Sequence, residues 1–342
     1  MTGEEIAERL APLIAQGCGA GRAEVTEIRT MTGGAAREAW RLDATLDRGA
    51  GGREERTFVA LLFRPGGQST FSGVQEAALL RAAAAAGVPV AQVVCSGDEA
   101  LGRPFYVMDF IEGETIGRRL VRDDRFAPVR ENLPGQMAEA LAAVHRVPVD
   151  DEALAFLARP VPQKPIALAA IEKVDSIYRM VSADPHPAFE IAFRWLRRRV
   201  PESIDATLVH GDFRIGNLMI DEDRGLRAVL DWELAHVGDP LEDLGWACVR
   251  SWRFGRDELT CGGVGLRGDL VRAYERASGR HVDLEALRFW EVFGNLYWGI
   301  ITLMQVRPFL DQTLRSVELA AIGRRAAETE WELLNLIEAK AY

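Results

Sequence analysis

Two carboxylates and a carboxamide fall close together in this 342-residue chain. Asp212 and Asn217 lie in His210-Gly211-Asp212-Phe213-Arg214-Ile215-Gly216-Asn217, and Asp231 ends Leu226-Arg227-Ala228-Val229-Leu230-Asp231. The turn Glu222-Asp223-Arg224-Gly225 between two apolar runs is a hairpin signal. Centred on 223–224, it sets Asp221 against Leu226 and Asn217 near Leu230, give or take one residue. The ends of Asn217 and Asp231 would then meet away from the turn, with Asp212 on the loop feeding that same end. Three hard oxygen donors of this kind suit Mg²⁺, which takes one or two protein oxygens and completes its shell with water and phosphate. The competing reading is a polar hairpin whose Asp and Asn serve turns and caps. Asp231 argues against it, because it ends a mostly apolar strand.

The elements that must position these residues divide the chain in two. Over residues 1–110 the pattern reads helix (4–16), strand, the loop Thr32-Gly33-Gly34-Ala35, strand, then the strand Thr57–Arg64 stopped by Pro65-Gly66-Gly67. A helix from about Gly73 to Ala86 and two more strands, Val90–Cys95 and Pro104–Phe110, complete this part. Residues 111–342 are mainly helical, with long periodic segments at Leu284–Val306 and Ser316–Ala339. The expected architecture is α+β: a small sheet lobe with one internal helix, followed by a larger helical lobe.

The His210–Asn217 segment with Val229-Leu230-Asp231-Trp232-Glu233, 14 residues separating Asn217 from Asp231, resembles the aminoglycoside phosphotransferase and choline kinase-like branch of the protein-kinase-like fold. It is most similar to the subgroup related to the kinase domain of acyl-CoA dehydrogenase fusion proteins. The resemblance implies a bilobal fold and transfer of the γ-phosphoryl group of ATP or GTP, with Mg²⁺, to a small-molecule hydroxyl. Asp212 matches the aspartate that accepts the hydroxyl proton, and Asn217 and Asp231 match the metal ligands. Arg214 would steady Asp212 or the transferring group, while His210 would hold the loop. Gly33 and Gly34 fill the place of the phosphate-covering loop, and the backbone around Met108, Phe110 and Ile111 matches the linker that holds adenine. The fold also expects a cation on its third strand paired with a helix glutamate. The first 163 residues contain no lysine, so that role falls to Arg64 with Glu76; in a shifted register Phe63 takes the position and Arg64 points outward.

Composition narrows the classes further. The chain carries 41 Lys and Arg against 51 Asp and Glu, a net charge of −10, which disfavours nucleic acid. The scattered Cys18, Cys95, Cys248 and Cys261 form no CxxC pair, and no leader or membrane span is visible, so a cytoplasmic protein is expected. Gly263-Val264-Gly265-Leu266-Arg267-Gly268 spells a dinucleotide fingerprint but lacks a preceding strand, and reads as a mobile loop near the acceptor. On the helix Leu284–Val306, Glu291, Asn295, Trp298 and Thr302 share a face that could line the acceptor pocket. The region is not strongly acidic, so a polycationic antibiotic is a poorer fit than a less cationic, acyl-linked hydroxyl compound. The same fold could also serve as a non-catalytic nucleotide-binding module.

Overall fold

The computed structural model describes residues 1–31, 37–64, 69–182, 184–202, 205–339 and 342. By internal contacts the chain forms two compact units. One comprises Met1–Gly113, Val147–Phe156 and Arg227–Leu234; the other comprises Glu114–Arg146, Leu157–Leu226 and Ala235–Tyr342.

The first unit begins with α1 (Gly3–Gly17), entered through a capping box in which Thr2 and Glu5 satisfy each other's amides. Five strands follow among the described residues: β1 (Arg22–Met31), β2 (Arg37–Asp47), β3 (Arg53–Phe63), β4 (Val93–Gly97) and β5 (Phe105–Asp109), in the order β1-β2-β3-β5-β4. Helix α2 (Gly73–Ala85) joins β3 to β4 and starts from a second capping box, Ser72 with Gln75. Strand alternation gives the sheet two different faces. Leu42, Ala44, Leu46, Phe58, Ala60, Leu62, Phe105 and Val107 bury against Ile6, Leu10 and Ile14 of α1. The opposite parity, matched across strands by the register, carries Arg37 with Phe63, Ala39 with Leu61 and Tyr106, and Arg41 with Val59 and Met108. Gly73 lets α2 approach the sheet: a Cβ there would lie 2.9 Å from the Phe105 nitrogen.

The second unit holds α3 (Gly117–Arg122), α4 (Ala127–Arg130), α5 (Leu133–Val144), α6 (Ile166–Val181) and α7 (Pro187–Arg197). A short strand β6 (Thr207–Val209) leads to the hairpin β7 (Leu218–Asp221) and β8 (Gly225–Val229), the last crossing into the first unit. Asp221 Oδ1 accepts from the amides of Asp223 and Arg224 at 2.9 and 2.8 Å, which folds the predicted turn. Strand β9 (His236–Gly238), too short to show a pattern in the sequence, pairs antiparallel with β6. Helices α8 (Leu241–Cys248), α9 (Arg267–Ser278), α10 (Leu284–Leu310), α11 (Val317–Gly323) and α12 (Ala326–Glu338) complete it. Helix α10 is the spine, burying Phe289, Trp290, Phe293, Leu296 and Ile300. The helix expected over Ser316–Ala339 is broken at Arg324–Arg325, where the Arg325 amide turns back to Ile322 at 2.9 Å.

The glycine-rich 263–268 segment is no mobile loop. Cys261, Gly262, Gly263 and Val264 are buried, and the Cys261 amide donates to the Gly265 carbonyl at 2.8 Å. No described helix is long and apolar enough to cross a membrane.

Candidate active site

In the second unit β6 delivers the chain into a loop held from below by Asp243 on α8. The amides of His210 and Gly211 donate to its two oxygens at 2.8 and 2.9 Å, and His145 Nε2 lies 3.2 Å away. Burial opposes the Asp243 charge, yet the His145 bond and the loop amide of His210 help hold its carboxyl below the usual range. His210 is fully buried, and its Nδ1 faces the Asp212 amide at 3.2 Å. It therefore shapes the loop. Gly211 has φ +80°, which favours glycine at this bend.

The loop presents Asp212 inside a ring of donors. Trp246 Nε1 reaches Oδ1 at 2.7 Å, Arg214 Nε lies 3.1 and 3.2 Å from the two oxygens, and Asn217 Nδ2 reaches Oδ2 at 2.6 Å. Burial still wins over these partners and raises the Asp212 pKa. The Asn217 amide nitrogen also donates to the Asp212 carbonyl at 3.0 Å. Both bonds fix which end of the carboxamide faces Asp212, so its oxygen, the atom a hard cation would use, is turned the other way. Trp246 carries no motif signal; only the packing of α8 brings its indole here. It belongs to an aromatic cluster with Trp252, Trp298 and Tyr297, in which Arg214 lies over Trp252 at 5.0 Å.

Asp231 belongs to the first unit. It has φ +63°, a left-handed conformation that a non-glycine residue adopts at a cost, tolerated best by Asn and Asp. Its neighbour Trp232 pins the turn by donating to the Val229 carbonyl at 3.2 Å. Glu76 on α2 is almost fully buried, and its Oε1 accepts from Arg37 Nη1 at 2.8 Å and from the Tyr106 hydroxyl at 2.9 Å. Burial raises the Glu76 pKa despite these partners, with Asp231 and Glu233 adding to the rise.

The expected Arg64–Glu76 pair is not formed. Arg64 follows the last residue of β3 and is half exposed, with its Nε 3.9 Å from Glu38 Oε1. Alternation is the cause: Phe63 has the parity that faces Glu76, as the shifted register anticipated. Met108 lies within β5, and the Phe110 amide is committed to the Thr57 carbonyl at 3.0 Å; Ile111 follows as a half-buried residue. Gly33 and Gly34 lie outside the described residues. The stripe on α10 is no open pocket lining: Glu291 and Asn295 are fully buried, and Glu291 is held by Arg253 at 3.0 Å, Arg267 at 2.7 Å and Tyr342 at 2.5 Å. Trp298 is half-buried, with an indole nitrogen that has no hydrogen-bond partner among the described residues.

The sequence profile of the phosphotransferase enzyme family, APH, matches residues 27–290. The chain belongs to this family. Among curated relatives, this phosphotransferase-family chain is 31% identical over 183 residues to acyl-CoA dehydrogenase family member 10 of Mus musculus, a match spanning 51% of this chain but 16% of that protein. An aminoglycoside phosphotransferase homologue from Ralstonia eutropha has a crystal structure similar over 98% of this chain and 99% of its own, with a TM-score of 0.74 and 24% identity. A thermostable mutant of aminoglycoside phosphotransferase APH(4)-Ia, in a ternary complex with ADP and hygromycin B, is similar over 97% of this chain and 99% of its own, with a TM-score of 0.59 and 16% identity. The fold is the α+β, protein-kinase-like one.

Proposed function

We propose that this phosphotransferase-family chain moves the γ-phosphoryl group of ATP to a hydroxyl of a small molecule, with Asp212 as the base and Asn217 and Asp231 as Mg²⁺ ligands. The observation that carries the reading is the caged Asp212 carboxylate beside an Asn217 whose amide nitrogen is tied to it. The hydroxyl oxygen attacks the γ-phosphorus, the bond to the bridging oxygen breaks, and Asp212 takes the hydroxyl proton. Trp246 and Arg214 hold the carboxylate in one orientation, the positioning on which this chemistry depends. Mg²⁺, when bound, neutralises phosphate charge. The Asn217 carboxamide, its nitrogen tied to Asp212 and its oxygen turned away, suits such an ion.

The acceptor is a hydroxyl compound that is not a polycation, with a hydroxyacyl compound the preferred class. Support comes from Glu291, whose charge is already matched by two arginines, and from the aromatic cluster next to Asp212. The relatedness to acyl-CoA dehydrogenase family proteins points the same way. Incubation of the protein with γ-labelled ATP, Mg²⁺, hydroxyacyl thioesters and aminoglycosides tests it: labelled phosphoester forms on the thioesters. Label on aminoglycosides alone would overturn the acceptor class. Binding of ATP with no labelled product across the panel would favour a non-catalytic module, which Phe63 in place of a third-strand cation makes the specific rival. Because burial raises the Asp212 pKa, kcat/KM should climb with pH through a midpoint above the ordinary carboxylate range. A flat profile between pH 4 and about 7 would remove Asp212 as the base.

A further inference from the structure

The third strand of this unit has no cation where the phosphates would need one, yet the helix glutamate is not idle. Arg37, the first residue of β2, places Nη1 2.8 Å from Glu76 Oε1 and lies over the Phe63 ring, 5.3 Å from its centroid. Arg37 and Phe63 are direct cross-strand partners, so the guanidinium stands above the very position that Phe63 leaves without charge. We propose that Arg37, on the second strand, is the cation that grips the nucleotide phosphates in this chain, with Glu76 as the residue that positions it.

Two orphaned atoms support this. Arg37 Nη2 and Glu76 Oε2 are both buried with no hydrogen-bond partner among the described residues, on side chains that are otherwise tightly held. A buried guanidinium with one arm hydrogen-bonded and the other in only a long ion pair costs stability unless something else uses the spare donor. Glu233 Oε2 lies 3.6 Å from Nη2, outside hydrogen-bond range. Burial opposes the Arg37 charge, but Glu76, Tyr106, Asp231 and Glu233 more than offset it, so the guanidinium stays protonated. Asp231, the carboxylate proposed to hold Mg²⁺, is among the charges that act on Arg37. A planar fork with one arm that makes no hydrogen bond matches phosphate oxygens, whereas Arg64 is half exposed and faces Glu38.

The inference rests on the kinase reading and is tested by calorimetric binding of MgATP, MgADP and adenosine to the full chain. Arg37→Met should weaken MgATP by about tenfold to a hundredfold and leave adenosine within about twofold, while Arg64→Met leaves both unchanged. Arg37→Lys should recover part of the lost MgATP affinity. Since Arg37→Met strands the Glu76 charge, the double variant Arg37→Met/Glu76→Gln, checked for folding by circular dichroism, must show the same selective loss. Full MgATP affinity in that folded double variant would overturn the proposal while leaving the kinase reading intact. So would a loss confined to Arg64→Met. Absence of MgATP binding by the unaltered protein would overturn both together.

Discussion

Glu76 and Glu291 are both buried glutamates facing arginine, and they are satisfied to different degrees. Every oxygen of Glu291 has a donor: Arg253 on Oε1, Arg267 and the Tyr342 hydroxyl on Oε2. Glu76 has Arg37 and Tyr106 on one oxygen and, among the described residues, no hydrogen-bond partner on the other. A buried network whose carboxylate is fully met holds helices in place, although Arg253 Nε in this one has no hydrogen-bond partner among the described residues. One left open on both the acid and the base side is costly to keep, and its cost is explained if a further charged group completes it. The contrast lies in the two carboxylates, and the proposal for Arg37 reads the open one as functional.

The contrast can be broken by mutation. Glu291→Ala removes the anion shared by two arginines, one of them almost fully buried, so unfolding free energy should fall by about 3–5 kcal/mol with MgATP affinity unchanged. Chemical denaturation with parallel calorimetry checks this, and a weakened nucleotide affinity at full stability would reverse the assignment of the two clusters.

Asp239 sharpens the comparison as a buried carboxylate bound to neutral donors, the Leu241 amide at 2.9 Å and Trp290 Nε1 at 3.0 Å. Burial dominates, and its pKa is pushed up to about 6 from 3.8. The folded state therefore holds the proton more tightly than the unfolded chain. Its contribution favours folding below about pH 4 and is lost as pH rises toward about 6, a span worth about 3 kcal/mol. Asp239→Asn should flatten that part of the stability profile; an unchanged slope would show that another group titrates there.

The smallest effect belongs to Glu76. Glu76→Gln keeps the shape and removes the charge that orients Arg37, so MgATP should bind about fivefold more weakly, a change of about 1 kcal/mol, with little loss of stability. A large stability loss with unaltered MgATP affinity would make Glu76 the structural twin of Glu291.

The sequence carries the Asp212 loop well, because its residues are contiguous and their turn chemistry is local. The hairpin from Leu218 follows from the same stretch, whereas His210 and Gly211 are braced from outside it, by Asp243 on α8. Glu76 was legible as the helix glutamate, but its partner was not. That partner is decided by the parity of β3 and by the pairing of Arg37 with Phe63, and one residue of register exchanges Phe63 for Arg64 on the working face. The signal that could have found it is the extension of the β2–β3 pairing back to its first residue. Trp246 and the burial of Glu291 were hidden for another reason. Both depend on which face α8 and α10 turn to their neighbours, and on an apolar helix the period alone leaves that open.

The central claim is phosphoryl transfer with Asp212 as base, and one measurement addresses it most directly. Transfer of label from γ-labelled ATP to the best hydroxyl acceptor is compared between the unaltered chain and Asp212→Asn, with MgATP affinity measured on both. The account predicts equal MgATP affinity and a transfer rate lower by about 10²–10⁴ in the variant. Transfer at the unaltered rate in Asp212→Asn would contradict it.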